Sequence, residues 1–324
     1  MLPSFSTIRP QTLREAIREL QTPGALLHGG GTDLLGCLHD GVFTAAKLVS
    51  LTALTELAGI GSTSDGGRRL GARTTIAALA ANGDLGKNYP GLVQAAAAVA
   101  SPQLRNQGTL GGNLCQKPRC WYYRGEFDCL RKGGAKCYAV AGQNQFHCLL
   151  GGSHCYIVHP SDPAAALLAL DARVEIVGPG GKRTVAMEEF HVPPQKDPRR
   201  ETFLEQGEIV TAVLLPPPKS GMRSSYRKVR GRQSWDFAVA GLALALQMDG
   251  DIVQNGRVVL SGAAPVPWRS KGAEEALRGR TLDFRSARAA SEAAMAEARP
   301  LAHNGYKVPL FKGLIEEELL KFAG

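Results

Sequence analysis

Short hydrophobic runs alternate with glycine, proline and charged stretches along the chain, so the pattern divides it into many brief elements. Thr12-Leu-Arg-Glu15 is a capping box and predicts a helix to about Leu20. "ALLH" (25–28) reads as a short buried strand running into glycine, and "AAKLVSL" (45–51) as a second strand. Helical patches are expected at 74–81 and 91–100, the latter opening with Pro90. "PSDPAAALLALDA" (160–172) predicts a helix capped by Ser161 or Asp162, with Pro163 in its first turn. "RVEIVGPGGKRTV" (173–185) reads as a hairpin, and "GEIVTAVLLPPP" (207–218) as a strand stopped by prolines. Beyond Pro216–Pro218, "SSYRKVRGR", "DFAVAGLALALQ" and "GRVVLSGAA" predict a three-stranded antiparallel sheet. Helices near 271–278, 284–298 and 309–322 follow it. Strands followed by helices give an α+β class, and the proline run marks a boundary between domains at 1–218 and 219–324.

Composition adds limits. A chain of 324 residues is too long for one small core, and 44% hydrophobic with 21% charged residues is ordinary for a soluble globular protein. No apolar run reaches the roughly 18 to 20 residues of a membrane span. The first residues lack a charged n-region followed by an apolar h-region. A cytoplasmic location is therefore expected, with a periplasmic one reached by co-export with a signal-bearing partner as the alternative. The net charge of +9 raises the question of nucleic acid. No helix-turn-helix, RNP or zinc-finger pattern accompanies it, so no nucleic acid is expected. A basic face for an acidic partner subunit or a phosphorylated ligand fits the charge equally well.

Two loops carry candidate chemistry. "HGGGTDLLG" (28–36) follows a strand but has Leu34 where a Rossmann fingerprint needs its third glycine, and it lacks the Gly-Lys-Ser/Thr of a P-loop. Its consecutive glycines expose backbone N–H groups suited to a pyrophosphate; the alternative is a plain strand-to-helix turn. "NQGTLGGNL" (106–114) repeats that chemistry with Thr109, Gly111, Gly112 and Asn113. Two such loops can hold a long dinucleotide from both sides. Neither matches a nicotinamide site, so a flavin dinucleotide is the better candidate.

Six of the seven cysteines fall between Cys115 and Cys155. Their spacing, C-x4-C-x8-C-x7-C-x10-C-x6-C, fits no C-x2-C ferredoxin or zinc pattern and does not choose among them. Clustered thiols in a long chain point to a metal or iron–sulfur site rather than a disulfide framework. A zinc loop using His147, His154 or His159 is the alternative.

"GGGTDLL", "GTLGGNL", "SDPAAALLALDA", "YRKVRGRQSWDFAVAG" and "LAHNGYKVPLFKGLI", in this order, resemble the FAD-binding medium subunit of the xanthine dehydrogenase family of molybdenum hydroxylases. The resemblance covers essentially the whole chain. It implies a two-part FAD-binding domain of the vanillyl-alcohol-oxidase/PCMH type, then a C-terminal sheet packed by helices. The cysteine block, at about 115–158, resembles the [4Fe-4S] insertion of the aldehyde oxidoreductase and 4-hydroxybenzoyl-CoA reductase branches, the former more closely. By resemblance, Cys120, Cys129, Cys137 and Cys155 match the cluster ligands, while Cys115 and Cys148 are free buried thiols. Arg124, Arg131, Lys132 and Lys136 are expected to stabilise the negative cluster.

The resemblance further implies FAD contacts along Leu26, Leu27, His28, Gly29, Gly30, Gly31, Thr32 and Asp33, then at Thr109, Gly112, Asn113, Asp162 and Lys228. Each has a structural alternative: Asp33 and Asp162 as caps, Lys228 as a solvated strand residue, His28 as packing. No acid–base residue is expected, because the cofactor performs the redox chemistry. The implied setting is an electron-transfer subunit of a heterotrimer with a large molybdenum-cofactor subunit and a small [2Fe-2S] subunit. Electrons would leave to an external electron acceptor. Reversed flow, as in a hydroxybenzoyl-CoA reductase, is one alternative. A zinc-loop nucleic-acid-binding or regulatory protein and a stand-alone flavin oxidase are the others.

Overall fold

The computed structural model describes residues 2–323. The N-terminal part contains two sheets. Ser6–Ile8, Lys47–Ser50 and Ala25–His28 form a parallel three-stranded sheet in that spatial order. The Leu13–Leu20 helix makes the crossover between its first two strands in sequence. Thr12 caps it by accepting from the Glu15 N–H, as the capping box predicts, although Glu15 reaches back to the N–H of Gln11 rather than of Thr12. The second sheet is antiparallel and five-stranded: Ile60–Ser62, Arg68–Gly71, Ile209–Leu215, Arg173–Gly178 and Gly181–Ala186. The predicted helical patches form as Ile76–Ala80 and Pro90–Ala97.

The C-terminal part has a sheet of three long antiparallel strands, Met222–Val229, Ala240–Asp249 and Ile252–Ser261. Two short strands, Trp268–Arg269 and Arg280–Thr281, extend it beyond the expected three. Helices Lys271–Leu277, Phe284–Met295 and Lys307–Leu320 cover one face. The first two predicted strands are longer at their junction than the structure has them. Residues 230–239 leave the sheet because Trp235 N–H bonds to the Ala100 carbonyl, 3.0 Å away, and Asp236 accepts from the backbone of Arg232 and Phe237.

The leucine–alanine alternation in "GLALALQ" explains how the parts stack. Side chains alternate across a strand, so Leu242, Leu244 and Leu246 pack against the C-terminal helices. Ala243 and Ala245 face the other core. There they admit the Asp162–Ala169 helix, whose eight residues are all buried between the sheets. Ser161 caps this helix by accepting from Ala164 N–H, and Pro163 sits in its first turn. The small alanines set how closely the helix approaches. Ala243→Leu is therefore expected to lower stability by about 1–3 kcal/mol despite its added apolar surface, because overpacking forces strain. Urea unfolding of the variant measures this, and unchanged or increased stability would contradict the packing argument.

Candidate functional site

The two glycine loops meet backbone to backbone. A Cβ on Gly30 would stand 1.9 Å from the Gln107 carbonyl oxygen, and one on Gly29 would stand 2.9 Å from Thr109 Oγ1. Gly31 has φ +74°, a conformation glycine adopts without steric cost. The second loop is fixed from beneath: Leu110 N–H bonds to Thr74 O, Gly111 N–H to Ala72 O, and Ile76 N–H to Gly108 O. Thr109 Oγ1 accepts from Gly112 N–H at 3.3 Å. The contact leaves two adjoining cavities, of about 240 and 320 Å³, which share Thr32, Asp33, Thr109, Gly112 and Gln116. Leu26, Leu27 and Gly29–Gly31 line the inner one, while Asn113, Asp162 and Lys228 line the outer.

Of the candidate contacts, His28 alone faces neither cavity. Its half-buried ring packs beside Gly31, and burial lowers its pKa. Asp33 stands at the N-cap position of the Leu34–His39 helix, but its side chain makes no capping bond. Its carboxylate accepts from Lys117 N–H at 2.7 Å and pairs with Arg124 at 2.7 Å and Arg119 at 2.9 Å. It thus ties the first glycine loop to the start of the cysteine segment. Asn113 is hydrogen-bonded to the Ser161 hydroxyl, joining the second loop to the capped helix.

Lys228 is no solvated strand residue. Its ammonium donates to Asp162 at 2.8 Å and to the Ala98 carbonyl at 3.1 Å. Both side chains of the pair are almost wholly buried. Burial pushes the Asp162 carboxyl up, while Lys228 and the Tyr226 hydroxyl hold it down.

The cysteine segment has little regular structure and is held by side chains. Cys120, Cys129, Cys137 and Cys155 line one narrow pocket. Cys115 lines the inner glycine cavity instead, and the Cys148 sulfur packs against Gly152. Arg131 also lines the cysteine pocket. It stands beside Cys155 in the pocket wall, pairs with Glu201 at 2.7 Å, and donates to the Pro198 and Arg200 carbonyls. The other expected basic partners turn elsewhere: Arg124 to Asp33, Lys132 to the Gly125 carbonyl, and Lys136 over the Tyr138 ring. His147 lines the pocket with Nε2 3.3 Å from Cys120 Sγ, and burial takes its pKa down to about 4. Burial raises the Cys120 thiol to about 12, with Cys155 and Cys137 adding to the shift.

From the other side, the start of the last helix clamps the segment. Asn304 donates to the His147 and Cys148 carbonyls. The wholly buried Lys307 donates to His147 O and Gly262 O, at 3.1 and 2.6 Å. Among the described residues, no three His, Cys, Asp or Glu converge closely enough for a single metal ion.

Between the glycine loops and the cysteine segment lies a buried histidine pair, invisible in the sequence pattern. His159 and His191 have ring centroids 4.1 Å apart. Ser161 N–H donates to His159 Nδ1, so Nε2 carries that ring's proton. His191 Nε2 donates to Leu114 O, which leaves its Nδ1 bare. Each ring keeps one buried nitrogen without a partner among the described residues, one a donor and one an acceptor.

The chain belongs to the family of FAD-binding subunits of xanthine dehydrogenase-type molybdenum hydroxylases, and is a flavoprotein subunit of an oxidoreductase complex. Residues 3–218 match the FAD binding domain in molybdopterin dehydrogenase, and residues 224–322 match the CO dehydrogenase flavoprotein C-terminal domain. The chain is 39% identical over 314 residues to the aldehyde oxidoreductase FAD-binding subunit PaoB of Escherichia coli K12, covering 95% of each chain. It is 30% identical to a xanthine dehydrogenase FAD-binding subunit of Escherichia coli O157:H7, covering 90% of this chain and 85% of that one. A solved carbon monoxide dehydrogenase of Hydrogenophaga pseudoflava, lacking the Mo-pyranopterin moiety of its cofactor, superposes with TM-score 0.77 at 25% identity. That match covers 100% of this chain and 98% of the other. No helix among the described residues is long and apolar enough to cross a membrane.

Two outcomes test this geometry. Lys228→Met leaves the Asp162 carboxylate buried and unpaired, with an expected loss of about 3–5 kcal/mol in chemical denaturation. A loss below about 1 kcal/mol would mean that the pair does not join the two parts. The histidines set an acid limit. Burial lowers His191 to about 4 and His159 well below its ordinary value. The unfolded chain takes up these protons below about pH 6.5 while the folded chain does not. Stability should thus be flat with respect to these groups above pH 6.5 and fall towards pH 4, by up to about 1.4 kcal/mol per pH unit for each. Unfolding midpoints of wild type and His191→Gln across that range measure the histidine's share, which the variant should lack.

Proposed function

We propose that the chain is the FAD- and [4Fe-4S]-bearing electron-transfer subunit of a heterotrimeric molybdenum hydroxylase that oxidises aldehydes. It would receive electrons from [2Fe-2S] centres of a small subunit and pass them to an external acceptor. The observation that carries this reading is that four cysteines of one inserted segment line a common pocket beside a glycine-walled cleft. The strong similarity to an aldehyde oxidoreductase FAD-binding subunit supports the substrate class, whose pocket would belong to the large subunit.

The residues fit both cofactors. The cleft offers backbone N–H groups without obstructing side chains, which suits a pyrophosphate. Its outer half carries the buried Asp162–Lys228 pair, which would stand as a fixed dipole beside a bound FAD. FAD, when bound, supplies one- and two-electron chemistry; the chain supplies binding and orientation.

The cysteine pocket offers four sulfurs with Arg131 and His147 in the same wall. An Fe–S cubane would take one thiolate from each of these four cysteines. Arg131 offsets the negative charge such a cluster carries, and its bonds to the 198–201 backbone keep it there.

Iron, sulfide, zinc and FAD assays on anaerobically purified protein test both halves. About four iron and four sulfide per flavin are expected, and Cys120→Ser should lose the iron while keeping FAD. Stoichiometric zinc without flavin would overturn the proposal; flavin without iron, with cluster loss excluded, would remove its iron–sulfur half.

A further inference from the structure

Between the glycine cleft and the cysteine pocket lies another concavity, of about 220 Å³. It shares Arg119, Asp236 and Phe237 with the outer cleft, and Cys120, His147 and Ile157 with the cysteine pocket. Its remaining wall is mostly apolar and includes Trp121, Phe146, Ala238 and Val239. The Trp121 ring meets Phe146 and His147 edge-on, with centroids 6.0 and 5.5 Å away. At the other side the Arg119 guanidinium lies 4.9 Å over the Phe237 ring. Phe146 and Phe237 remain 49% and 41% exposed, so the mouth opens to solvent through two aromatic rings. Arg119 commits Nη2 to Asp33 and Gln116, while its Nη1 makes no hydrogen bond among the described residues.

We infer that this pocket receives a single-ring, quinone-class electron acceptor; the inference rests on the function proposed above. Aromatic walls set at an angle to one another accept a planar ring by edge and offset contacts. Arg119 supplies a charged N–H donor for a quinone oxygen, whose negative charge grows on reduction. A dianionic or strongly acidic acceptor meets Asp236 and a guanidinium already paired with Asp33, whereas a neutral quinone needs only the uncommitted Nη1–H. The quinone takes up two electrons and two protons to become a hydroquinone. The electrons are those released by oxidation of the substrate on the partner subunit, and the protons enter from solvent through the open mouth. The pocket touches the walls of both redox sites, so either can serve as the donor.

The experiment follows reoxidation of the reduced, flavin-loaded protein in anaerobic stopped flow. The acceptors are duroquinone, whose fully substituted ring does not alkylate cysteine, and ferricyanide, which exchanges electrons without a pocket. Two variants touch this concavity alone: Ala238→Phe fills it and Phe146→Ala removes a wall. The rate should saturate with duroquinone, and each variant should raise the half-saturating concentration about 10-fold relative to its effect with ferricyanide, the loss expected for one aromatic contact. Equilibrium dialysis of duroquinone against the oxidised protein should show the same loss of binding without turnover. A duroquinone dependence that never saturates, or that is the same in all three proteins, overturns the pocket alone. Absence of flavin absorbance before mixing overturns the proposed function and this inference together.

Discussion

The backbone contact between Gly30 and Gln107 is the constraint on which the site depends. No side chain fits between the two loops there, so their N–H groups stay exposed to the cavities on either side. The contact also fixes Asp33, three residues on, where its carboxylate reaches Lys117, Arg119 and Arg124. The first glycine loop is thereby both a wall of the cleft and an anchor for the cysteine segment. A substitution that pushed the loops apart would disturb both sites, although the cysteines are distant from Gly30 in sequence.

Buried charges then hold what secondary structure does not. The cysteine segment contributes few ladder or helix bonds, and the ordering of so irregular a stretch is entropically costly. Arg131 with Glu201, and Asp33 with its three donors, fasten it to the N-terminal part. Lys307 and Asn304 fasten it to the C-terminal part. Among the described residues the Lys307 ammonium has only carbonyl oxygens as partners, and burial takes its pKa down to about 8. Buried ions of this kind add little net stability over apolar packing, but breaking them is expensive. They specify one placement of the segment rather than supplying the bulk of its stability.

What could be read from the sequence follows from the same physics. Elements driven by hydrophobic period and turn chemistry were legible: the Asp162 helix, the hairpin at 173–185, the long C-terminal strands and their covering helices. The glycine loops were legible because only glycine tolerates the close approach. The four cysteines were separable from Cys115 and Cys148 only by resemblance, since irregular spacing carries no geometric signal; the structure brings those four to one pocket. Interactions between distant residues left no local trace. His159 entered only as a possible zinc-loop ligand and Lys228 as a cofactor contact or a solvated strand residue, and neither pointed to its partner, His191 or Asp162. Residues 230–232 and 236–239 resembled strand because they continue the strands on either side, and the bonds of Trp235 to Ala100 and of Asp236 to Arg232 and Phe237 take them out of the sheet.

That departure matters for the chemistry. As strand, the segment would have buried Phe237 in the sheet; as loop, it brings Phe237 and Asp236 to the outer cleft and to the concavity beside the cysteines. Arg119, from the cysteine segment, meets Phe237 there and reaches back to Asp33 of the first glycine loop. Three parts of the chain that share no secondary structure therefore converge on one guanidinium. Its position depends on the glycine contact through Asp33, on the inserted segment through its own backbone, and on the C-terminal domain through Phe237. A change in any one of these parts is transmitted to the wall that separates the cleft from the cysteines.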